Sequence, residues 1–458
     1  MAMLGTVERP LRVAVVGSGP SGFYAADALL RAAPVCTVDM FERQPTPYGL
    51  VRSGVAPDNM KIKSVTRTFE KIAAHERFRF FGNVEVGVTA PVHVLRRHYD
   101  AIIFACGTET NLRLGIPGED LPGCHTATSF VGWYNGHPVY RNFRFDLSQE
   151  IAVVVGVGNV AVDVARILSR TVDELKHTDI SQDALDALAE SRVREVHIIG
   201  RRGPAQAKFK ENEIRELGRL ADCDCLVDPA DLVLNPESCQ EAAAPSVARM
   251  LGILEIFSRQ PHVKRRKVLL RFLLSPVKIT GDARVQSIIL EKNTLKGDPF
   301  RQEAKGTGEV IEQPCGLVFA SIGYRGMPMP GVPFDARRGI IPNAEGRVLE
   351  DGRPLPGLYA TGWIKRGPTG LIGTNKPDSA ETVQKLLEDM PHLPPCENPN
   401  PDAMPRWLAA RGIRAVSFED WRKIDAVEIE RGKPRRKPRE KLAKVSQMLA
   451  VIDESREQ

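Results

Sequence analysis

Cysteine pairs at redox or metal-binding spacing are absent from this 458-residue sequence. None of its eight cysteines forms a C-x-x-C motif, and the one close pair is Cys223 and Cys225 in a C-x-C. This argues against a zinc ribbon, an iron–sulfur cluster and a dithiol redox centre. The nine histidines show no metal-ligand spacing such as H-E-x-x-H, so we expect no metal site. Reduced structural thiols are the interpretation that remains.

The sequence also lacks a long apolar run. No stretch approaches the roughly 20 residues of a membrane-spanning helix, and the opening residues MAMLGTVERP contain no apolar signal core. We therefore expect a cytoplasmic protein with no membrane partner. Lys and Arg number 63 against 57 Asp and Glu, a net charge of +6. This mildly favours acidic partners, and we expect no nucleic acid among them.

A glycine fingerprint stands close to the start of the chain. Gly17, Gly19 and Gly22 fit G-x-G-x-x-G between an apolar run at 11–16 and a helix pattern. Such a turn brings a pyrophosphate close to a helix N-terminus. Glu42 ends the next strand pattern, 25 residues after Gly17. A carboxylate there accepts hydrogen bonds from a ribose and repels a 2′-phosphate, which predicts FAD or NAD.

A second glycine fingerprint is followed by basic residues at the strand end where the first has the acidic Glu42. Gly156, Gly158 and Ala161 fit the variant that ends in alanine. The following strand pattern, VHIIG, is followed by Arg201 and Arg202. Two guanidinium groups there can grip the 2′-phosphate of NADP. One acidic and one basic unit predict FAD in the first and NADP(H) in the second, with hydride transfer between nicotinamide and flavin.

The order of the patterns predicts an α/β protein with two Rossmann-like dinucleotide-binding domains. One further strand, LPGLYATG, follows the second fingerprint unit, so we expect the NADP domain to be inserted into the FAD domain. The predicted segments are 1–108 for the first part of the FAD domain, 109–324 for the NADP domain and 325–458 for the remainder with a basic, helix-patterned tail. A helix is predicted from about Asp378. The tail's charge run GKPRRKPREK is expected to be solvated.

Further strings resemble the adrenodoxin reductase family, with the bacterial NADPH–ferredoxin reductases of that family as the closest likeness. They are PTPYGLVRSGVAPD at 45–58, IPGEDLPG at 116–123, FVGWYNGHP at 130–138, IIGRRGP and above all GWIKRGPTGLIGTNK at 362–376. The resemblance implies tightly bound FAD, NADPH as donor and an iron–sulfur ferredoxin as a one-electron acceptor. The enzyme class it implies is a ferredoxin–NADP⁺ reductase.

The resemblance also assigns residues. For FAD it implies a set along the pyrophosphate, the adenosine and the flavin path: Gly17, Ser18, Gly19, Pro20, Ser21, Glu42, Leu50 and Val86. Next to the flavin ring it implies Trp363, Gly370, Leu371 and Ile372. For NADP(H) it implies Gly158, Asn159, Val160, Arg201, Arg202 and Glu213, with Glu213 and Trp363 taken as catalytic.

Two departures from the family pattern concern the site. The family often has histidine where this chain has Asn59, and an amide does not titrate, so a proton relay at this position is in doubt. The arginine expected before IPGE is shifted by one residue to Arg113, which is carried over as a cofactor-binding residue.

Other interpretations stay open at this point. The chain could be an electron-transfer subunit like the small subunit of glutamate synthase, although no cysteine-rich module precedes Cys36. A pyridine nucleotide–disulfide reductase is opposed by the lack of C-x-x-C, and a non-catalytic nucleotide-binding module would not bleach flavin with NADPH. The basic run Lys264–Lys267 fits equally well a landing site for an acidic ferredoxin and a charged guard at a strand edge.

Overall fold

Two largely parallel β-sheets, drawn from different parts of the chain, organise the computed structural model, which describes residues 3–457. The strands in chain order are β1 (Leu11–Val16), β2 (Cys36–Phe41), β3 (Phe78–Phe81), β4 (Ala101–Phe104), β5 (Thr110–Asn111), β6 (Cys124–Thr126), β7 (Ile151–Val155), β8 (Glu195–Ile199), β9 (Cys223–Val227), β10 (Arg266–Arg271), β11 (Leu274–Thr280), β12 (Ser287–Lys296), β13 (Glu303–Pro314), β14 (Leu317–Ala320), β15 (Tyr324–Arg325), β16 (Asn343–Ala344), β17 (Arg347–Glu350) and β18 (Arg353–Ala360).

The helices lie between these strands and in the tail. In chain order they are α1 (Pro20–Leu30), α2 (Leu50–Ser53), α3 (Met60–Lys63), α4 (Thr66–Ala73), α5 (Val92–His98), α6 (Ala127–Tyr134), α7 (Asn159–Ser169), α8 (Val172–Leu175), α9 (Gln182–Ala189), α10 (Glu211–Leu217), α11 (Pro236–Glu241), α12 (Pro245–Arg259), α13 (Trp363–Arg366), α14 (Asn375–Asp389), α15 (Ala403–Ala409), α16 (Phe418–Gly432) and α17 (Val445–Glu457).

The first sheet has seven strands in the order β16-β17-β18-β4-β1-β2-β3. Its central strand β1 pairs in parallel with β2 and β4, and β18 joins β4 in parallel from the far end of the sequence. All six residues of β1 are buried, which is why it reads as a continuous apolar run. The prediction of this strand is confirmed, and helix α14 begins at Asn375, three residues before the predicted Asp378.

The second sheet has six strands in the order β6-β14-β7-β8-β10-β9. All of its strands fall in the sequence between β4 and β18. The two passages of the chain between the sheets meet in a short antiparallel ribbon, where Tyr324 pairs with Asn111 and Arg325 with Thr110. A separate antiparallel sheet, β11-β12-β13, packs its apolar face on one side of the second sheet.

Helices cover both faces of the first sheet, whereas the second sheet has helices on one face and the antiparallel sheet β11-β12-β13 on the other. Each sheet is thus the centre of its own layered α/β unit, and the predicted fold class of two Rossmann-like dinucleotide-binding domains is confirmed. The exposed strand β13 was not predicted, because its residues are mostly polar and follow no clear alternation.

The charge run at 432–441 differs from its prediction as a solvated segment. Lys437 and Lys441 are only 5% and 7% exposed. Lys437 donates to the carbonyl of Ile180 at 2.6 Å, and Lys441 lies 3.1 Å from Asp179. The tail therefore packs against the second half of the molecule, because a buried ammonium group requires partners that a local charge count does not reveal.

Candidate functional site

The first glycine turn and the start of the helix after the second border one cavity of about 810 Å³. Its wall includes the whole first turn, Gly17 to Ser21, and the first two residues of α7, Asn159 and Val160. Ligands of open α/β sheets bind outside the carboxyl ends of the strands. Here the carboxyl ends of β1 and β7 face the same space, so two dinucleotides bound at the two turns would meet in it.

The first turn is shaped by two glycines with different tasks. Gly17 has φ +107°, and a Cβ there would lie 2.5 Å from the carbonyl oxygen of Ala105, so only glycine fits. At Gly19 a Cβ would meet no atom within 4 Å. The backbone at Gly19 is therefore bare toward the cavity, which is the close approach that a pyrophosphate requires.

Glu42 lies directly after β2 and reaches the same turn. Its Oε2 accepts hydrogen bonds from the backbone N–H of Ser18 at 3.2 Å and from the Ser18 hydroxyl at 2.7 Å, and its Oε1 accepts from the N–H of Gln44 at 3.0 Å. The carboxylate is thereby fixed at the strand end where a ribose is read. The position predicted from the 25-residue spacing is the one the structure shows.

The second turn repeats these features. Gly156 has φ +131°, and a Cβ there would collide with the carbonyl of Ser321, whereas Gly158 faces open space. Gly158 is the N-cap of α7, and Asn159 Oδ1 accepts from the N–H of Lys210 at 2.9 Å. Gly158 itself does not border the cavity, although its two successors do.

Arg201 and Arg202 follow β8, separated from its last residue, Ile199, by Gly200. Arg201 is exposed, and its guanidinium has no hydrogen bond or ion pair with any residue in the range 3–457. Arg202 is half-buried. Neither borders the main cavity. They stand at the position where a Rossmann unit reads the ribose and its substituents.

A buried ionic cluster lies where the two halves meet. Arg166 of α7 is fully buried and forms two hydrogen bonds with Asp58, at 2.7 and 3.0 Å. The same guanidinium lies 2.6 Å from Asp163 and 3.5 Å from Glu213. Asp163 and Glu213 line the cavity. This arrangement links the first half, through Asp58, to two carboxyl groups of the second half.

Burial changes the proton affinity of these carboxyl groups. It raises the pKa of Asp163 to about 7, against the opposing charge of Arg166. Burial also raises the pKa of Glu213. For Asp58 burial alone would do the same, but its hydrogen bonds with Arg166 hold the pKa below the usual value. The cavity therefore has carboxyl groups that can hold a proton near neutral pH.

An aromatic pair, Trp363 after β18 and Tyr324 of β15, forms another part of the cavity wall. Trp363 stacks on Tyr324, with ring centroids 5.8 Å apart, and its indole N–H donates to the carbonyl of Thr369 at 3.0 Å. Gly370, Leu371 and Ile372 border the same space. The indole is thereby anchored to the turn that precedes α14, which suits a flat wall beside a planar ring.

Of three further residues from the sequence analysis, one borders the cavity and two do not. Leu50, the first residue of α2, lines the cavity. Val86 is 7% exposed and packs in an apolar cluster behind the first sheet, so it does not reach the cavity. Arg113 is turned outward and pairs with Glu119 at 2.9 Å and with Asp120. Because these local partners hold the guanidinium, the shifted arginine does not border the cavity.

The basic run Lys264–Lys267 is engaged within the protein. Lys264 donates to the carbonyl of Leu220, Arg265 pairs with Asp222, Arg266 donates to the carbonyls of Ser169 and Arg170, and Lys267 pairs with Glu195. The run also lies at the amino end of β10, whereas the nucleotide turns lie at the carboxyl ends of the sheet. This favours a structural role over a landing site.

Several cavity residues were missed from the sequence. Asp163, and Arg166 that pairs with it behind the wall, had a signal, since two charged residues three apart interrupt an apolar helix right after a fingerprint. Asn135 and Met448 had none, because only the tertiary structure brings the end of α6 and the tail helix α17 to the cavity.

The cavity fits the two cofactors that the sequence predicts. Gln44 Oε1 and Thr108 Oγ1 are buried polar atoms of its wall with no hydrogen-bond partner among the described residues. Buried polar atoms are rarely left unpaired. Together with the bare backbone at Gly19 and Gly158, they leave polar groups free for the hydroxyls and phosphates of a dinucleotide.

None of the helices in the described range 3–457 combines the length and the apolar character needed to cross a bilayer.

Comparison with known proteins is consistent with this geometry. Residues 11–217 match the family model described as pyridine nucleotide-disulphide oxidoreductase. The chain is 46% identical over 456 residues to NADPH-ferredoxin reductase FprA of Mycobacterium tuberculosis, covering 97% of this chain and 99% of the relative. It is 44% identical to the mitochondrial NADPH:adrenodoxin oxidoreductase of Bos taurus, with 98% and 93% covered.

A solved structure extends the comparison to three dimensions. The M. tuberculosis FprA in complex with NADPH superimposes with a TM-score of 0.92 at 45% identity, covering 97% of this chain and 100% of that chain. Identity at this level over nearly the whole length of both chains places the protein in a single family with these reductases. The chain belongs to the adrenodoxin reductase family.

Proposed function

We propose that this protein is an FAD-dependent NADPH–ferredoxin reductase. The observation that carries the proposal is one cavity whose wall holds the glycine turn of the first sheet and the first residues of the helix that follows the glycine turn of the second. It would bring a nicotinamide and a flavin together. The relatives named for NADPH, ferredoxin and adrenodoxin support the donor and the iron–sulfur class of acceptor.

The first half binds FAD. Gly17, Ser18, Gly19, Pro20 and Ser21 hold the pyrophosphate at the start of α1. Glu42 accepts the ribose hydroxyls, and Leu50 lines the path along the cavity. Val86 and Arg113, which lie away from the cavity, could contribute only by supporting its wall.

The second half binds NADP(H). Gly158, Asn159 and Val160 receive the pyrophosphate at the start of α7. Arg201 and Arg202 pair with the 2′-phosphate, and the guanidinium of Arg201, which has no partner among residues 3–457, supports this assignment. A carboxylate at the same position would repel that phosphate.

The chemistry at the meeting point is hydride transfer. Bound FAD would supply the chemistry that accepts a hydride from NADPH and passes single electrons to the acceptor. Trp363, with Gly370, Leu371 and Ile372, orients the ring and excludes water from one face. Glu213 and Asp163 hold protons beside the nicotinamide end, and Arg166 fixes both carboxyl groups.

The finer features of the proposal follow from the sequence. The domain segments are 1–108, 109–324 and 325–458, with the NADP domain inserted in the FAD domain, and the order of strands in the two sheets supports this division. The net charge of +6 supports an acidic ferredoxin as partner. We propose a cytoplasmic location.

Anaerobic titration tests the function. The purified protein, mixed with NADPH, should lose its yellow flavin absorbance, and added oxidised ferredoxin should restore it. NADPH binding without any bleaching would leave only a non-catalytic nucleotide-binding module.

A further inference from the structure

Two lysines from distant parts of the chain share one buried carboxylate behind the cavity wall. Lys63 of α3 lies 2.6 Å from one oxygen of Asp179, and Lys441 of the tail lies 3.1 Å from the other. All three side chains are at most 8% exposed. Two ammonium groups therefore meet a single carboxylate in a region from which water is largely excluded.

The same two ammonium groups touch the cavity wall through Asn135. Its Oδ1 accepts from Lys63 at 3.4 Å and from Lys441 at 3.2 Å, while its Nδ2 donates to the carbonyl of Val131. Asn135 is 1% exposed and borders the cavity. Because both donors are cationic, the amide can have only one orientation, with its oxygen toward the lysines.

A second connection runs through Arg52, which also borders the cavity. Lys441 donates to the carbonyl of Arg52 at 3.1 Å. The guanidinium of Arg52 donates two hydrogen bonds to the fully buried carboxylate of Glu428, at 2.5 and 2.9 Å, and stacks over Trp421. The cations behind this part of the wall are thus fixed by packing as well as by charge.

The cluster carries one cation more than it has carboxylates. Arg52, Lys63 and Lys441 face Asp179 and Glu428, and adding Arg439 with its partner Asp425 leaves the excess unchanged. Burial lowers the pKa of both lysines, and Asp179 opposes this. A negative charge placed in the cavity would favour the protonated form of both, because charges interact strongly where water is excluded.

The wall in question is one face of α6 with its C-cap, from which Thr128, Val131, Gly132 and Asn135 line the cavity. At the start of this helix Thr128 donates to Asn111, the strand partner of Tyr324. Asn135 lies about 10 Å further along the helix axis, at the two lysines. The cluster therefore lies directly behind the wall of the space that a bound flavin dinucleotide would occupy.

We propose that Lys63 and Lys441 are positioning residues whose excess positive charge, acting through Asn135 and Arg52, raises the reduction potential of the flavin bound in this cavity. The inference rests on the proposed placement of FAD. Adding electrons increases the negative charge in the cavity, so a fixed cation behind its wall favours the reduced form. The carboxyl-terminal tail then contributes to the redox chemistry as well as to the fold.

The test is the midpoint potential of the FAD-loaded protein, measured by spectroelectrochemical titration at neutral pH. Lys441→Met and Lys63→Met each remove one cation and keep an apolar stem of similar length. Each should favour oxidised over reduced FAD at least about tenfold, a downward shift of about 30 mV for a two-electron couple. A variant that retains FAD weakly is measured through its separate dissociation constants for oxidised and reduced FAD, whose ratio gives the same quantity.

Lys437→Met is the matched control. Lys437 is equally buried in the same tail, but it pairs with Glu440 and the carbonyl of Ile180 and, unlike Lys63 and Lys441, its ammonium group is not bonded to Asn135 or Arg52. It should destabilise the tail and leave the potential unchanged. Potentials of Lys441→Met and Lys63→Met that match the wild type, or that shift only as much as Lys437→Met, would overturn the inference.

These measurements distinguish a failure of this inference from a failure of the proposed function. Wild-type protein that binds no FAD would contradict the proposed function itself. Wild-type protein that binds FAD and is reduced by NADPH, with variants whose potential does not move, would refute only the role of the two lysines.

Discussion

Individual charged side chains carry the proposed assignment of one nucleotide to each turn. Glu42 is held at one strand end by Ser18 and Gln44, whereas Arg201 projects from the other without a partner in the range 3–457. A fixed carboxylate accepts hydroxyl groups and repels phosphate, and a free guanidinium does the reverse. These two residues were predictable from sequence, because the strand–turn–helix pattern fixes their spacing from the glycines.

The first prediction concerns the choice between NADPH and NADH. The double change Arg201→Ala and Arg202→Ala removes charged contacts to the 2′-phosphate, worth about 1.5–3 kcal/mol. The kcat/KM for NADPH should fall roughly tenfold to over a hundredfold, and that for NADH should hardly change. Steady-state kinetics with both nucleotides measures this, with Arg215→Ala on α10 as a control. A preserved preference would mean that the 2′-phosphate is read elsewhere.

The second prediction concerns the pH dependence of flavin reduction. Asn59 caps α3 through its Oδ1 and borders the cavity, but it cannot titrate. Burial lowers the pKa of the cavity histidine His137 to about 4. Asp163, whose pKa burial raises to about 7, is then the group that changes protonation near neutral pH. It is protonated below that value and ionised above it.

Stopped-flow reduction by NADPH across pH 5 to 9 should therefore show one step near pH 7. Asp163→Asn should abolish the step. Asn59→His should add a second one if position 59 is close to the chemistry. A step near pH 7 that survives in Asp163→Asn would assign the titration to another group.

At the scale of elements, the tail is held by helix α16. Glu428 is completely buried and binds Arg52 with both oxygens, and one of them also accepts from the N–H of Leu442 at 2.9 Å. The segment after α16 is thereby tied to α2 of the first half. Because α2 borders the cavity, this tie also fixes part of its wall.

The third prediction follows from that tie. Glu428→Ala leaves the guanidinium of Arg52 buried without its carboxylate, which should lower the free energy of unfolding by about 3–5 kcal/mol. Denaturant unfolding of the FAD-loaded protein measures the loss. Glu430→Ala removes an exposed carboxylate on the same helix that pairs with Lys433, and it should change stability by less than about 1 kcal/mol. Equal losses of unfolding free energy in Glu428→Ala and Glu430→Ala would contradict a stabilising role for the buried pair of Glu428 and Arg52.

Elements with a local signature were predictable, and those that depend on distant partners were not. The apolar run of β1 and both glycine turns are confirmed, since strand burial and turn geometry follow from neighbouring residues. Lys437 and Lys441 were expected in solvent, because nothing near them in sequence announces Ile180 or Asp179 as partners. The same limit explains why Asn135 was missed.

At the scale of the whole molecule, the distribution of charge bears on the approach of the acceptor. The net charge is +6, but the four cations of Lys264–Lys267 are paired or bonded within the protein, at the end of the second sheet opposite the nucleotide turns. The other charges of the protein attract an approaching ferredoxin only over about 10 Å at 0.1 M salt, because ions in solution screen their field. The docking face is therefore expected nearer the cavity than this run.

The fourth prediction tests that view. Turnover with ferredoxin should fall as ionic strength rises, while flavin reduction by NADPH alone should fall less. Arg265→Gln removes the exposed member of the run, whose charge is balanced by Asp222, and it should leave the KM for ferredoxin and the salt profile unchanged. A flatter salt profile in this variant would restore the run as the landing site.

The central claim is that one cavity brings FAD and NADPH together for transfer to an iron–sulfur acceptor. Its most direct test is a sequential anaerobic stopped-flow experiment on the purified protein. NADPH should bleach one equivalent of bound FAD in the first mixing step, and oxidised ferredoxin should restore the absorbance in the second. Purified protein that neither carries FAD nor binds it when added, or bound FAD that NADPH leaves oxidised, would contradict the account.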